Sequence, residues 1–435
     1  MLRAHDEAEA LRARHAVYYL ALAEEAAPAL AGEAQGVWLA RLEAEHDNLR
    51  AALAWARERG DVERGLRLAG ALGDFWHARG FVLEGQAWLD AMLALADVSE
   101  WRDEGGVRAK ALTVAGRMVR VAGEYAHATA WQEEALHLQR ARGDAAGIAS
   151  ALDELGLIAY RQGEHARATA WFEESVAFAR TIGDRGRIAE ALKHLGLVAW
   201  MQGEYAHAIA LHEESLLHER ALGNTRGIAR ALNNLAIIAN GQGEHARAIP
   251  LHEESLTIQR AIGDRTGIAL SLNNLALSAL LLGDTERADN WAGESLAIRR
   301  TLGDHLMLAT ALLSVGNIAE RRGEYDRARA SLIESLTHYR ILQEQSGMAR
   351  SLAGLARVAA AMGEWERAVR LLAAAERQHP TPANALPDEA TLRDELRATA
   401  QRTLGLAMFT AAWDAGAALS PDEAVAEATG ARFPG

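Results

Sequence analysis

Residues 143–182 read GDAAGIASALDELGLIAYRQGEHARATAWFEESVAFARTI, and residues 183–222 read GDRGRIAEALKHLGLVAWMQGEYAHAIALHEESLLHERAL. The two stretches align without a gap, and the alignment extends in both directions. Glycine followed by an acid recurs at Gly123, Gly163, Gly203, Gly243, Gly283, Gly323 and Gly363, always 40 residues apart. A second series lies 20 residues out of phase, at Gly143, Gly183, Gly223, Gly263 and Gly303, and lapses at Gln343-Glu344. Glycine is 38 of 435 residues, so seven hits in one register mark a structural period.

Between these marks the apolar residues keep helical spacing, Ile148, Leu152, Leu155 and Ala159 in one half and Ala168, Phe172 and Val176 in the next. Each half-repeat is therefore one amphipathic helix. The glycine supplies the left-handed residue that ends a helix, and the acid after it suits the positive end of the helix that follows. Two helices of roughly 16 residues cannot bury their apolar faces alone, whereas stacked pairs share a continuous core. The fold expected is all-α, an α-solenoid of seven helix pairs over residues 105–380, with helical caps at residues 1–104 and 381–435.

Leu155-Gly156 in the first helix and Ala168 and Phe172 in the second, with Leu195-Gly196 and Ala208 or Leu235-Ala236 and Ala248 as their copies, resemble the tetratricopeptide repeat. The period of 40 departs from the common form of about 34 residues, and alanines such as Ala159 and Ala199 replace the usual first-helix aromatic. This longer form, with Leu-Asn-Asn-Leu-Ala at 232–236 and 272–276, looks like the variant of bacterial regulators. Residues 1–104 are helical in pattern but out of phase with the repeat. Trp38 to Leu53, Phe75-Trp76 and Trp88-Leu89 resemble a segment of STAND-class signalling ATPases that leads into a repeat-built sensor. Pro380, Pro382 and Pro387 are expected to form a short linker. Beyond it Phe409 to Ala424 resembles the terminal cap of the same sensors. In many of these a DNA-binding helix-turn-helix follows the cap, and no such domain is expected here.

The composition removes several chemistries. With no cysteine, disulfides, thiolate catalysis and cysteine-based metal sites are excluded. The net charge of −13 disfavours a sequence-independent grip on nucleic acid. No apolar run approaches the roughly 18 residues that cross a bilayer, and the acidic start, Asp6-Glu7, is unlike a secretory signal, so a cytoplasmic location is expected. Neither lysine, Lys110 or Lys193, follows the glycine that a phosphate-binding loop requires. The histidines at 127, 165, 207 and 245 are copies of a turn residue. The Glu-Glu pairs at 133, 173, 213 and 253, with Arg140, Arg180, Arg220 and Arg260, read as a solvated charge ladder, because an acid-base site needs one unequal pair. No cofactor, metal or catalytic residue is expected, and the chain is read as a non-enzyme.

Opposite the buried stripe of each first helix lies a second face, reached by steps of about 100° per residue. In tetratricopeptide folds this face lines the concave groove, so the resemblance implies a ligand site there. Its residues vary between copies: Lys110, Thr113, Arg117 and Arg120; then Asp153 and Tyr160; then Glu190, Lys193, Leu197, Trp200 and Met201. Arg230, Asn233, Ile237 and Asn240 follow, then Asn273, Leu277, Leu280 and Leu281. Aromatic anchors beside amides and bases fit a peptide, a protein segment or a small polar ligand. Packing of Leu197, Ile237 and Leu277 on the neighbouring helix is the alternative use of those three. The function expected is a sensor and interaction module of a STAND-type ATPase, with the ATPase domain in the same full-length chain and self-association available to the near-identical copies. The alternative is a free-standing adaptor that assembles other proteins.

Overall fold

In the computed structural model, which describes residues 2–30, 34–103, 105–379 and 389–430, every regular element is an α-helix. The linker expected at Pro380, Pro382 and Pro387 lies outside the described residues. The chain forms two compact units, Met1–Leu222 and Gly223–Gly435. The first holds α1 (Leu2–Ala29), α2 (Gln35–Ala44), α3 (His46–Arg59), α4 (Val62–Ala71), α5 (Gly73–Arg79) and α6 (Val82–Val98). Three pairs follow, α7 (Val107–Val121) with α8 (Tyr125–Arg142), α9 (Ala145–Arg161) with α10 (His165–Thr181), and α11 (Arg185–Met201) with α12 (Tyr205–Leu222). The second unit has four pairs: α13 (Thr225–Gly241) and α14 (His245–Ala261), α15 (Arg265–Leu281) and α16 (Thr285–Leu302), α17 (His305–Arg321) and α18 (Tyr325–Ile341), α19 (Gln345–Ala361) and α20 (Trp365–Gln378). It closes with α21 (Glu389–Leu404), α22 (Leu406–Ala418) and α23 (Pro421–Thr429).

The first member of each pair, helix A, packs on the second, helix B, and in four pairs a helix-A glycine receives a large helix-B side chain. A methyl group on Gly156 would lie 2.5 Å from the Phe172 ring, and one on Gly196 2.6 Å from His212 Nε2. Gly316 stands in the same relation to Leu332. In the five pairs from α9–α10 to α17–α18 a buried helix-B serine adds a hydrogen bond across the interface, Ser175 donating to the Ala149 carbonyl at 2.9 Å and Ser255 to that of Ala229 at 2.8 Å. The turn glycines take positive φ, +77° at Gly163 and +69° at Gly263, and where the series lapses Gln343 adopts +54°. Along the outer face the expected charge ladder forms. Arg140 pairs with Glu174 and Arg180 with Glu214 in the first unit, and Arg260 with Glu294 and Arg300 with Glu334 in the second.

The non-repeating helices have cores of their own. Phe75 and Trp76 are wholly buried with Leu42, Leu49 and Leu53. His46 stacks near Phe81, and its Nε2 lies 3.1 Å from Glu84. At the other end, Arg367 donates to the carbonyls of Glu427 and Ala428 at 3.0 Å, which ties α23 to α20. Ser420 and Glu423 form a reciprocal capping box at the start of α23.

Candidate functional site

In the first unit α7, α9 and α11 present their second faces side by side, and these faces divide into two rows. One row is charged and internally paired. Arg117 meets Asp74 of α5 at 2.8 Å, Arg120 meets Glu154 at 2.9 Å, and Asp153 meets His194 Nδ1 at 2.9 Å. Lys193 is paired with Glu190 one turn away. The Arg120–Glu154 pair is well shielded, with side chains 15% and 13% exposed. Burial pushes the Glu154 carboxyl above its ordinary range, and Arg120 opposes that shift. Each charge expected to meet a ligand here, Arg117, Arg120, Asp153 and Lys193, thus already has a partner from the protein. Lys110 is exposed and stands apart from this row, lining a cavity with α1 and α4.

The other row is apolar and open. Leu157 and Tyr160 on α9 and Leu197 and Trp200 on α11 are half-buried, and Met201 is 48% exposed. Leu157 and Tyr160 rest on the core between α9 and α11, which fixes their positions. The Tyr160 hydroxyl and the Trp200 indole N–H make no hydrogen bond among the described residues, so both polar tips remain available. An aromatic strip flanked by a neutralised polar row suits an extended or helical protein segment. Apolar side chains of such a segment would cover the strip, and its amides would meet the polar row.

The second unit treats the same positions differently. Arg230 is exposed, but Asn233 and Asn240 are 4% and 7% exposed and serve the packing of helix A on helix A. Asn274 donates to Asn233 Oδ1 at 3.0 Å, and Asn240 donates to Ser278 Oγ at 2.8 Å. Leu280 is buried, while Ile237, Asn273, Leu277 and Leu281 are half-buried. Further along the array Arg357 of α19 bridges Asn317 and Glu320 of α17 at 2.9 and 3.3 Å. The amides expected as ligand contacts are thus spent largely within the protein.

Sequence reasoning passed over Glu154, His194, Asn274 and Ser278, each next to a residue it named or one turn from it. One signal was present. Arg120 and Glu154 are 34 residues apart, the separation that also joins the outer arginines to their glutamates.

With this geometry the repeats define an all-helical array of tetratricopeptide-like helix pairs. The tetratricopeptide-repeat family profile matches residues 147–216 and 227–301, and a second profile of the same description matches 351–383. Among curated proteins, HTH-type transcriptional regulators of Mycobacterium bovis and Mycobacterium tuberculosis are 36% identical over 152 residues. That match covers 34% of this chain and 17% of each relative, so the chain spans under a fifth of their length. Among solved structures, a Rap protein complexed with Competence and Sporulation Factor aligns with a TM-score of 0.54 at 14% identity, over 86% of this chain and 99% of that one. The apo form of RapI gives 0.50 at 15% identity, over 64% and 99%. At these identities the likeness is one of fold. No described helix is long and apolar enough to cross a membrane.

Proposed function

We propose that this chain is the sensor part of a larger cytoplasmic regulator, a STAND-type ATPase, and that it takes up a peptide or protein segment on the α9–α11 face. The observation that carries the reading is the open strip of Tyr160, Trp200 and Met201 beside charges that already neutralise one another. A segment lying there gains apolar contact without having to displace an ion pair. The partial likeness to transcriptional regulators supports a regulatory setting. The Rap fold, which carries a bound factor in its complex, supports use of such a scaffold for recognition. Binding would drive regulation through a difference in affinity between two states of the whole protein.

The test is affinity capture from a lysate of the native host with wild type beside Tyr160→Ala/Trp200→Ala, read by mass spectrometry, with circular dichroism to check folding. Partners held by wild type should be lost by the variant. With an identified partner, Trp200→Ala alone should weaken binding by about 2 kcal/mol. Equal capture by both correctly folded proteins would place the contact elsewhere. The ATPase context is tested separately, by reading the gene upstream of Met1 for an in-frame phosphate-binding loop. Stable complexes with no such loop in frame would favour the free-standing adaptor.

A further inference from the structure

Between α1, α4 and α7 lies a cavity of about 550 Å³, within the range typical of small-molecule sites. It exists because side chains are missing where three helices meet. Three helical glycines close by are covered by a large neighbour: Gly65 by Met92, Gly73 by Val114, Gly85 by Trp76. A methyl group on Gly70 would meet nothing nearer than the Ala111 Cα at 4.0 Å, and Ala27 and Ala71 leave the adjoining walls equally shallow. The floor that remains is apolar, formed by Leu66, Val107 and Val114.

The charges on the walls are unequal. On the α1–α4 side Arg67 is held by Glu24 through two hydrogen bonds of 2.8 and 2.9 Å, and Glu63 stands 3.5 Å away, so this cation is more than neutralised. On the α7 side Lys110 has no hydrogen-bond or ion-pair partner among the described residues. The chain has two lysines among 46 basic residues, and the other, Lys193, is paired with Glu190. Glu24, Glu63 and Arg67 also wall a neighbouring cavity of about 330 Å³, so this cluster is a partition with polar space on its far side. A ligand in the larger cavity would therefore find apolar surface below, a saturated ion pair on one wall and one free ammonium on the other.

We propose that this cavity binds a small molecule with an apolar body and a single carboxylate or sulfonate, the body over Leu66, Val107 and Val114 and the anion on Lys110 Nζ. The carboxylates of Glu24 and Glu63 turn away a second negative charge, which sets the ligand at one anionic end. The site is separate from the α9–α11 face, and it stands or falls independently of a partner there.

The probe is 8-anilinonaphthalene-1-sulfonate, titrated by fluorescence into the full chain and then displaced by decanoate or by decyltrimethylammonium. Wild type should bind one equivalent that decanoate displaces and the cationic amphiphile does not. Lys110→Glu, at an exposed position where folding is little affected, should weaken that binding at least about tenfold, the loss expected for one charge-assisted contact. Gly70→Leu, which fills the cavity, should abolish it, with circular dichroism confirming the fold. Binding that is unchanged in Lys110→Glu, or displaced equally by both amphiphiles, overturns the proposal, as does the absence of a decanoate-sensitive site in wild type.

Discussion

Asp264 and Glu164 each follow a turn glycine and precede a helix, yet their carboxylates do different work. Asp264 accepts a hydrogen bond from the Gly267 amide at 3.0 Å, satisfying a donor that the first turn of α15 leaves unpaired. Glu164 caps nothing and reaches Arg167 Nη1 at 3.0 Å across exposed surface. The division holds through much of the array. Asp144, Asp184, Asn224 and Asp304 also cap A helices, whereas Glu244, Glu324 and Glu364 before B helices pair with the arginine three residues on. Asp284 departs from it, because its carboxylate caps a B helix as well. Removing a cap costs about 1 kcal/mol, and an exposed pair contributes about 0.3 kcal/mol. Asp264→Ala should therefore lower the guanidinium unfolding midpoint measurably, and Glu164→Ala should leave it nearly in place. Equal losses in the two variants would mean that the charge, not the cap geometry, is what the turn acid supplies.

At the scale of elements, the contact between α7 and α9 depends on a shielded ion pair. Arg120→Met leaves the Glu154 carboxylate without its cation and should cost about 3 kcal/mol, while Arg120→Met/Glu154→Leu should return to within about 1 kcal/mol of wild type. Chemical unfolding of both variants checks this, and a loss below about 1 kcal/mol for the single change would mean that water replaces the arginine. The pair also marks where the sequence ceases to be readable. The helix pairs and their cores follow from periodicity, because Gly156, Gly196 and Ala168 repeat with the packing that requires them. The open strip was within reach too, since Tyr160 and Trp200 occupy one position of a helical face in successive copies. Which charges were free was not. The partners of Arg117 and Asp153 come from other helices, Asp74 and His194, at separations that only folding brings together. The Lys110 cavity was hidden for a related reason: α1 and α4 lie outside the repeat, so no pattern announces what they leave unfilled.

At the scale of the whole molecule, burial lowers the pKa of His212 in the first unit and of His252 in the second, and acid should act on both. His212 lies beneath Gly196 and His252 has neither ring nitrogen hydrogen-bonded; their exposures are 2% and 0%. Burial holds His212 down at about 4, with lesser contributions from Lys193 and His194, and His252 at about 3. The unfolded chain, with its histidines near 6.5, therefore takes up protons first as pH falls. The stability that comes from keeping these rings neutral is complete above pH 6.5 and is lost progressively as pH drops toward the folded values. Between pH 7.5 and 5 each site should lose about 2 kcal/mol. Glu154 and Asp90, whose carboxyls burial raises, act in the opposite sense, so the histidine contribution is best isolated by difference. The repeats supply replacements already tried elsewhere in the chain: Phe172 faces Gly156 where His212 faces Gly196, and Leu372 holds the position of His252 on α20. His212→Phe/His252→Leu should unfold at a similar denaturant concentration to wild type at pH 7.5 and lose about 4 kcal/mol less on acidification to pH 5. A pH profile parallel to that of wild type would mean that these rings are solvated or protonated in the folded chain, and that acid sensitivity arises among the surface pairs instead.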